Sequence, residues 1–351
     1  MVQSPDGSDP GGSREDRPDP AILDFVARSG LVPPGAEARF ERLPGGVSSD
    51  IWLVCGGSGA FCVKRALPRL RVAADWRAPI ERNTKEAAGI KAVGAFMPQA
   101  VPRLLAEDAG GGMFAKDYLP PQSFEGWKAQ LQRGHVMAST SAEVGRRIAR
   151  IHGRFANSAA ADAEFAPDTT FHAIRLEPYL LATARAHPDR AAALERLAEV
   201  TARTKLTLVH GDVSPKNILV GPEGPVFIDA ECAWFGDPAF DVAFCLNHLL
   251  LKCLWVPAAG SRLLTAFDAM ATTYLGAVDW EPAEQIDQRA AQLLPGLFLA
   301  RIDGKSPVEY LTEERDKDAV RRVARSLLAD PLDHLAEIRR VWASEIDAMI
   351  S

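Results

Sequence analysis

The 351 residues predict an α+β chain, with a small lobe built on an antiparallel sheet followed by a larger, mainly helical lobe. Three observations carry this. Two apolar runs rich in β-branched and aromatic residues, Ile51 to Val54 and Phe61 to Arg65, flank the glycine-bearing turn Gly56 to Gly59, the pattern of paired strands. Pro120-Pro121 then interrupts the chain, because proline has no N–H to give a sheet ladder. Beyond it apolar residues recur at helical spacing, as at Val144, Ile148, Ile151 and Phe155, with one β-rich insertion at Leu206 to Asp229.

The first twenty residues, rich in Pro, Gly, Ser and Asp, lack the cationic start and apolar run of a secretion signal and read as a disordered tail. Ala21 to Arg28 predicts a short helix, and Arg39 to Leu43 leads into the glycine pair Gly45-Gly46. After the two strands, Ile80, Ala87, Ile90 and Val93 form one apolar stripe, which predicts a helix over Pro79 to Val93. Met113 to Tyr118 returns to strand character and ends at the double proline, a predicted hinge. The divisions are therefore a tail at 1–20, a first lobe at 21–119 and a second at 120–351. The most apolar stretch, Phe240 to Val256, contains Asp241, Asn247, His248 and Lys252; it is too polar to cross a bilayer and reads as a buried helix.

A net charge of -6 removes the broad attraction that nucleic acid or an anionic membrane surface would require, so neither is expected as a partner. Five cysteines, odd in number and without CxxC spacing, predict neither a disulfide framework nor a structural zinc site. A reducing, cytoplasmic setting is expected. The sequence allows a homodimer without specifying one.

The chemistry concentrates in Leu208 to Val220, which contains His210-Gly-Asp212 and Asn217, and in Val226 to Glu231. Ile218 to Val220 and Val226 to Ile228 flank a five-residue turn with Gly and Pro, predicting a hairpin. Pairing Val220 with Val226 sets Asn217 opposite Asp229, and directly opposed side chains have Cβ atoms ~4.5 to 5.5 Å apart, close enough to share one hard cation. Glu231 stays on that face if the chain remains extended. The expected site is oxygen-lined and suited to Mg²⁺. Asp212 lies on the loop entering the hairpin, where a carboxylate can accept the proton of an attacking hydroxyl during phosphoryl transfer. His210 is expected to orient the loop by hydrogen bonding, and Asp241 to brace it.

These residues resemble the aminoglycoside phosphotransferase and choline kinase superfamily, whose fold is that of protein kinases, over nearly the whole chain after the tail. The resemblance implies a kinase using ATP and Mg²⁺, with Asp212 as catalytic base and Asn217 and Asp229 as metal ligands. It makes Lys64 the strand lysine that holds the ATP phosphates, with Glu86 as its helix partner and Glu81 as a competitor. The turn containing Gly45, Gly46, Ser48 and Ser49 would cradle phosphate, and adenine would sit near Asp117 to Leu119. The run Val63 to Arg71, Trp76, Arg82 and Glu86 look most like the methylthioribose kinase branch, as do Asp229-Ala-Glu231 and Arg301. This implies an acceptor hydroxyl on a sugar-like metabolite, with Arg301 and Trp76 near it; Trp234 and Phe235 are further pocket candidates. The departures are Ala300 where those kinases carry a second arginine, and Asn217 where they commonly carry serine. An antibiotic-modifying aminoglycoside kinase and a catalytically silent nucleotide-binding protein are the alternatives. No APE motif follows Asp229, so protein-kinase activity is not expected.

Overall fold

A computed structural model describes residues 17–44, 49–57, 59–67, 81–166 and 169–350. Its chain separates into two compact units, Met1–Asn83 with Leu104–Tyr118, and Thr84–Arg103 with Leu119–Ser351. The predicted tail lies outside the described residues up to residue 16.

The first unit is a five-stranded antiparallel sheet in the order β1-β2-β3-β5-β4. Its strands are β1 (Ala38–Arg42), β2 (Ser49–Gly56), β3 (Gly59–Ala66), β4 (Leu104–Asp108) and β5 (Met113–Asp117). Helix Pro20–Ser29 starts where the Asp19 carboxylate accepts from the Ala21 N–H (2.9 Å), with Pro20 supplying a preset φ, and stops at left-handed Gly30. Ile22, Phe25 and Val26, spaced for one helical face, close over Trp52, Val54, Phe61, Val63, Met113 and Ala115 to make the core. Side chains alternate along β3, so with Phe61 and Val63 in that core, Cys62 and Lys64 belong to the opposite face. β4 is absent from the expectations above: its sequence ends in two acidic residues, and its register against β5 is broken between Leu104 and Ala106, so no clean alternation marks it.

The second unit is mainly helical. It carries a two-stranded ladder of β7 (Thr207–Val209) with β10 (Trp234–Gly236), and a three-stranded sheet of β6 (Glu125–Gly126), β8 (Ile218–Gly221) and β9 (Gly224–Phe227). Helices Ala138–Phe155 and Pro238–Trp255 pack against these strands; Gly260–Leu275 packs on both helices and Ala283–Asp303 on Pro238–Trp255. Every residue from Pro238 to Leu254 is buried, which explains an apolar run that is not a membrane span. Among the described residues no helix is long and apolar enough to cross a membrane. All five cysteines are unpaired.

Candidate active site

The loop at His210 to Asp212 leaves β7 and is held by a carboxylate. Asp241, in the first turn of helix Pro238–Trp255, accepts the backbone N–H groups of His210 and Gly211, each at 2.8 Å. Asp241 is itself braced by His152 Nε2 (3.3 Å), whose Nδ1 meets the Tyr274 hydroxyl at 2.8 Å. Gly211 adopts φ +74°, and a Cβ there would lie 2.7 Å from the Cys232 carbonyl oxygen, so only glycine fits. His210 links the two halves of the segment: Nε2 bonds the Ile228 carbonyl (3.2 Å), and Nδ1 accepts the Asp212 N–H (3.2 Å). The structuring roles expected of His210 and Asp241 match this geometry.

Asp212 is buried, and one of its oxygens gathers all its side-chain partners. Oδ2 accepts from Asn217 Nδ2 (2.8 Å), pairs with Arg175 Nη2 (2.8 Å) and lies 3.4 Å from Lys216 Nζ, while Oδ1 is bonded to no described residue. Arg175 also donates Nε to the Gly211 carbonyl and Nη1 to the Ile174 carbonyl, both at 2.6 Å, so its planar fork fixes the loop and the carboxylate together. Burial alone would push the Arg175 guanidinium down, but Asp212, with Cys232, Tyr179 and Glu231, raises it above its ordinary value. Lys216, whose side chain is largely exposed, is raised as well, first by Asp212 and then by Asp229. Sequence reasoning missed both cations. Lys216 was in plain view inside the motif. Arg175 lies on a segment wound as a π-helix, His172–Leu181, and the one sequence signal for that irregularity is Pro178 within an otherwise helical run.

The hairpin forms, but one residue out of the predicted register. Leu219 pairs with Val226 and Gly221 with Gly224, leaving Pro222-Glu223 as a two-residue turn in place of the expected five. Gly224 makes this possible by taking φ +102°. The ladder therefore brings Asn217 against Ile228, whose N–H donates to the Asn217 carbonyl at 3.0 Å, and does not set Asn217 opposite Asp229. Asp229 then leaves the extended conformation with φ +65°, an uncommon state for a residue with a Cβ, so Glu231 is not placed by strand alternation either. The acidic groups nonetheless gather: the buried Cys232 thiol is raised well above its ordinary value by burial, and Glu231, Asp212 and Asp229 add to the rise while Arg175 opposes it. Behind the turn, Arg147 on helix Ala138–Phe155 grips the hairpin, donating to the carbonyls of Pro225 (2.6 Å), Glu223 and Gln99.

The remaining predicted residues fall in several places. Lys64 on β3 is buried in the first unit; Glu86 is buried on helix Arg82–Gly94 and belongs to the second, whereas Glu81 is exposed. Asp117 ends β5 and is half-buried, as is Leu119. Ser49 is buried at the start of β2, while Gly45, Gly46, Ser48 and Trp76 lie outside the described residues. Arg301 is buried near the catalytic loop, linked through Tyr179 to Arg175. Trp234 packs in the core: it stacks on Phe171 with ring centroids 3.9 Å apart, carries Lys205 Nζ 4.2 Å from its ring centroid, and is buried. Phe235 is likewise buried.

A family model described as "Phosphotransferase enzyme family" matches residues 39–286, which include every element of the catalytic loop and hairpin. The chain belongs to this family. No curated protein matches the sequence of this phosphotransferase. Among solved structures it resembles a choline/ethanolamine kinase family protein from Mesorhizobium loti, at 17% identity and TM-score 0.50, covering 93% of this chain and 99% of that one. An ethanolamine kinase from Plasmodium vivax aligns at 10% identity and TM-score 0.52, covering 93% and 86%. An amicoumacin kinase in complex with AMP-PNP, Ca²⁺ and Ami aligns at 12% identity and TM-score 0.54, covering 90% and 95%. At these identities the likeness establishes the kinase-like α+β fold of the phosphotransferase.

Proposed function

We propose that this phosphotransferase is an ATP-dependent small-molecule kinase that transfers the γ-phosphate to a hydroxyl of a sugar-like metabolite. The observation that carries the reading is Asp212: buried, clamped on Oδ2 by Asn217, Arg175 and Lys216, and left with Oδ1 unbonded. Oδ1 accepts the proton of the acceptor hydroxyl as that oxygen attacks the γ-phosphorus. The bond from phosphorus to the bridging oxygen of ADP breaks, and ADP leaves with the electron pair. Arg175 and Lys216 act as positioning residues, holding the carboxylate in place.

The donors also fit a hard divalent cation. Asn217 Nδ2 is engaged by Asp212, which leaves the amide oxygen, the metal-binding atom of a carboxamide, for coordination beside Asp229 and Glu231. Among the described residues no three His, Cys, Asp or Glu side chains close into a metal cage, so phosphate and water oxygens would complete the shell, the arrangement Mg²⁺ favours. Such an ion, when bound, neutralises phosphate charge. Lys64, Glu86, Asp117, Leu119 and the segment containing Gly45, Gly46 and Ser48 are assigned to the nucleotide by resemblance. The amicoumacin kinase solved with AMP-PNP and Ca²⁺ supports the nucleotide and a divalent ion. The sugar-like acceptor rests on Asp229-Ala-Glu231 and Arg301, shared with methylthioribose kinases.

Asp212→Asn tests the reading. The amide can still accept from Arg175, which keeps its bonds to two carbonyls, so the variant is expected to fold with an unchanged circular-dichroism spectrum. Loss of a general base should lower acceptor-dependent ADP formation ~10²- to 10⁴-fold. Turnover close to that of the parent would remove Asp212 from the chemistry.

A further inference from the structure

Among the described residues, two buried cations in the unit that carries the catalytic loop, Arg301 and Lys252, lack an acidic partner. Arg301 uses Nη1 on the Tyr179 hydroxyl (3.0 Å) and on both oxygens of Ser306, its Nε is buried without a hydrogen bond, and it forms no ion pair with a described residue. Lys252 is 1% exposed and makes no hydrogen bond or ion pair with any described residue. Its ammonium lies 3.9 Å from the Tyr310 ring centroid and 4.6 Å from that of Trp255. Lys128 stands 6.0 Å from both rings and pairs with Glu309, so that carboxylate already has a cation. His248 joins the group through Nδ1 and the Tyr310 hydroxyl (3.0 Å).

The charges repel one another. Burial first, then Lys128 and Arg301, drive Lys252 down to about 7, with Glu309 and Cys245 opposing. Burial, Arg301, Lys252, Lys216 and Lys128 together hold His248 well below its ordinary value. The cluster is tied to Asp212 by Tyr179, whose ring centroid is 5.7 Å from the Arg175 guanidinium and 5.5 Å from that of Arg301. Buried like charges without a counter-ion are strongly unfavourable, and an anion placed among them relieves both desolvation and repulsion.

We propose that Arg301 and Lys252, flanked by Lys128, His248 and Tyr310, form an anion-binding subsite for the acceptor, so that this enzyme phosphorylates a hydroxylated acid carrying a carboxylate or phosphate group. The proposal rests on the kinase reading of the same site and narrows its acceptor. It disfavours cationic acceptors such as amino alcohols and aminoglycosides, because the aromatic pair Tyr310 and Trp255 already covers the ammonium of Lys252.

Two measurements on the full chain test it. In calorimetry, tartrate and inorganic phosphate serve as anionic probes, and Mg²⁺-AMP-PNP is titrated separately. Tartrate or phosphate is expected to bind the parent, and Arg301→Gln and Lys252→Met each to weaken that binding about tenfold or more, the range for hydrogen bonds to charged groups. Lys252→Met removes a buried charge at similar volume and is expected to fold, so it keeps the test decisive even if Arg301→Gln fails to pack. In acceptor-dependent ADP formation, glycerate, gluconate and ribose 5-phosphate should exceed ribose, glycerol, choline and kanamycin in kcat/KM by about tenfold. Both variants should raise KM for the anionic acceptors more than they lower kcat, since the lost contact is made equally in ground and transition states. Absence of anion binding, equal anion binding in parent and both variants, or a preference for cationic acceptors overturns the proposal. Anion binding that depends on both residues, without any Mg²⁺-nucleotide association, would instead sustain the subsite and sink the kinase reading.

Discussion

At the scale of single residues, the site is built by placing charge where burial penalises it and then supplying, or withholding, a partner. Asp212 is supplied with three donors on one oxygen, whereas Lys252 has two aromatic faces and no carboxylate. The second case makes a pH prediction whose sign is fixed. The folded-state value of Lys252 is about 7 against an ordinary 10.5, so between these pH values the unfolded chain holds a proton that the folded chain has lost. Stability from this group therefore rises with pH across that window and is lowest below it. Lys128 and Arg301 reinforce the effect, and Glu309 and Cys245 reduce it. Urea unfolding at pH 7 and pH 9.5 should show the parent gaining on Lys252→Met by up to ~3 kcal/mol. An unchanged gap would mean that the ammonium is not desolvated. Residue identities were the most legible part of the site: Asp212, Asn217 and Asp229 stand out by spacing alone. Arg175 and Lys252 do not, because an arginine or lysine in a helix is ordinary until tertiary packing buries it.

At the scale of elements, Asp241 shows how a helix start holds a loop that bears chemistry. Its two oxygens accept from two consecutive backbone N–H groups and from His152, so Asp241→Ala would orphan buried donors at the turn that presents Asp212. Each buried donor left unsatisfied costs ~1 to 3 kcal/mol, which predicts a loss of roughly 2 to 6 kcal/mol for the pair, measured by chemical denaturation. A loss below ~1 kcal/mol would show that water replaces the carboxylate. The helices and the strands β2, β3 and β5 were legible because apolar periodicity and turn residues agree there. The register of β8 and β9 was not: Gly221 to Pro225 has the composition of a long turn, and nothing in it shows that Gly224 adopts positive φ and shortens the turn to two residues. β4 and the π-helical segment escaped for a related reason, since their irregular pairing and winding are set by neighbours distant in sequence.

At the scale of the whole molecule, the two compact units are not two consecutive pieces of chain. Residues 84–103 belong with the second unit although they are flanked on both sides by segments of the first. Ile90, Val93 and Val101 from that stretch line an apolar cavity together with Ile151, Leu208 and Phe227 of the second unit. A fragment spanning 119–351 would therefore lack part of its own interior. It should expose apolar surface, bind a hydrophobic dye and unfold without a cooperative transition; a sharp melt of that fragment would contradict the assignment. Helix Arg82–Gly94 also carries Glu86, so an excursion between strands contributes both interior and a candidate nucleotide residue. The polypeptide passes between units at 83/84, 103/104 and 118/119, three peptide links in all. No single scission can release either body intact, so a protease that nicks one of these links leaves the halves tethered, and gene fusion or exchange of lobes between relatives would have to splice at three joints.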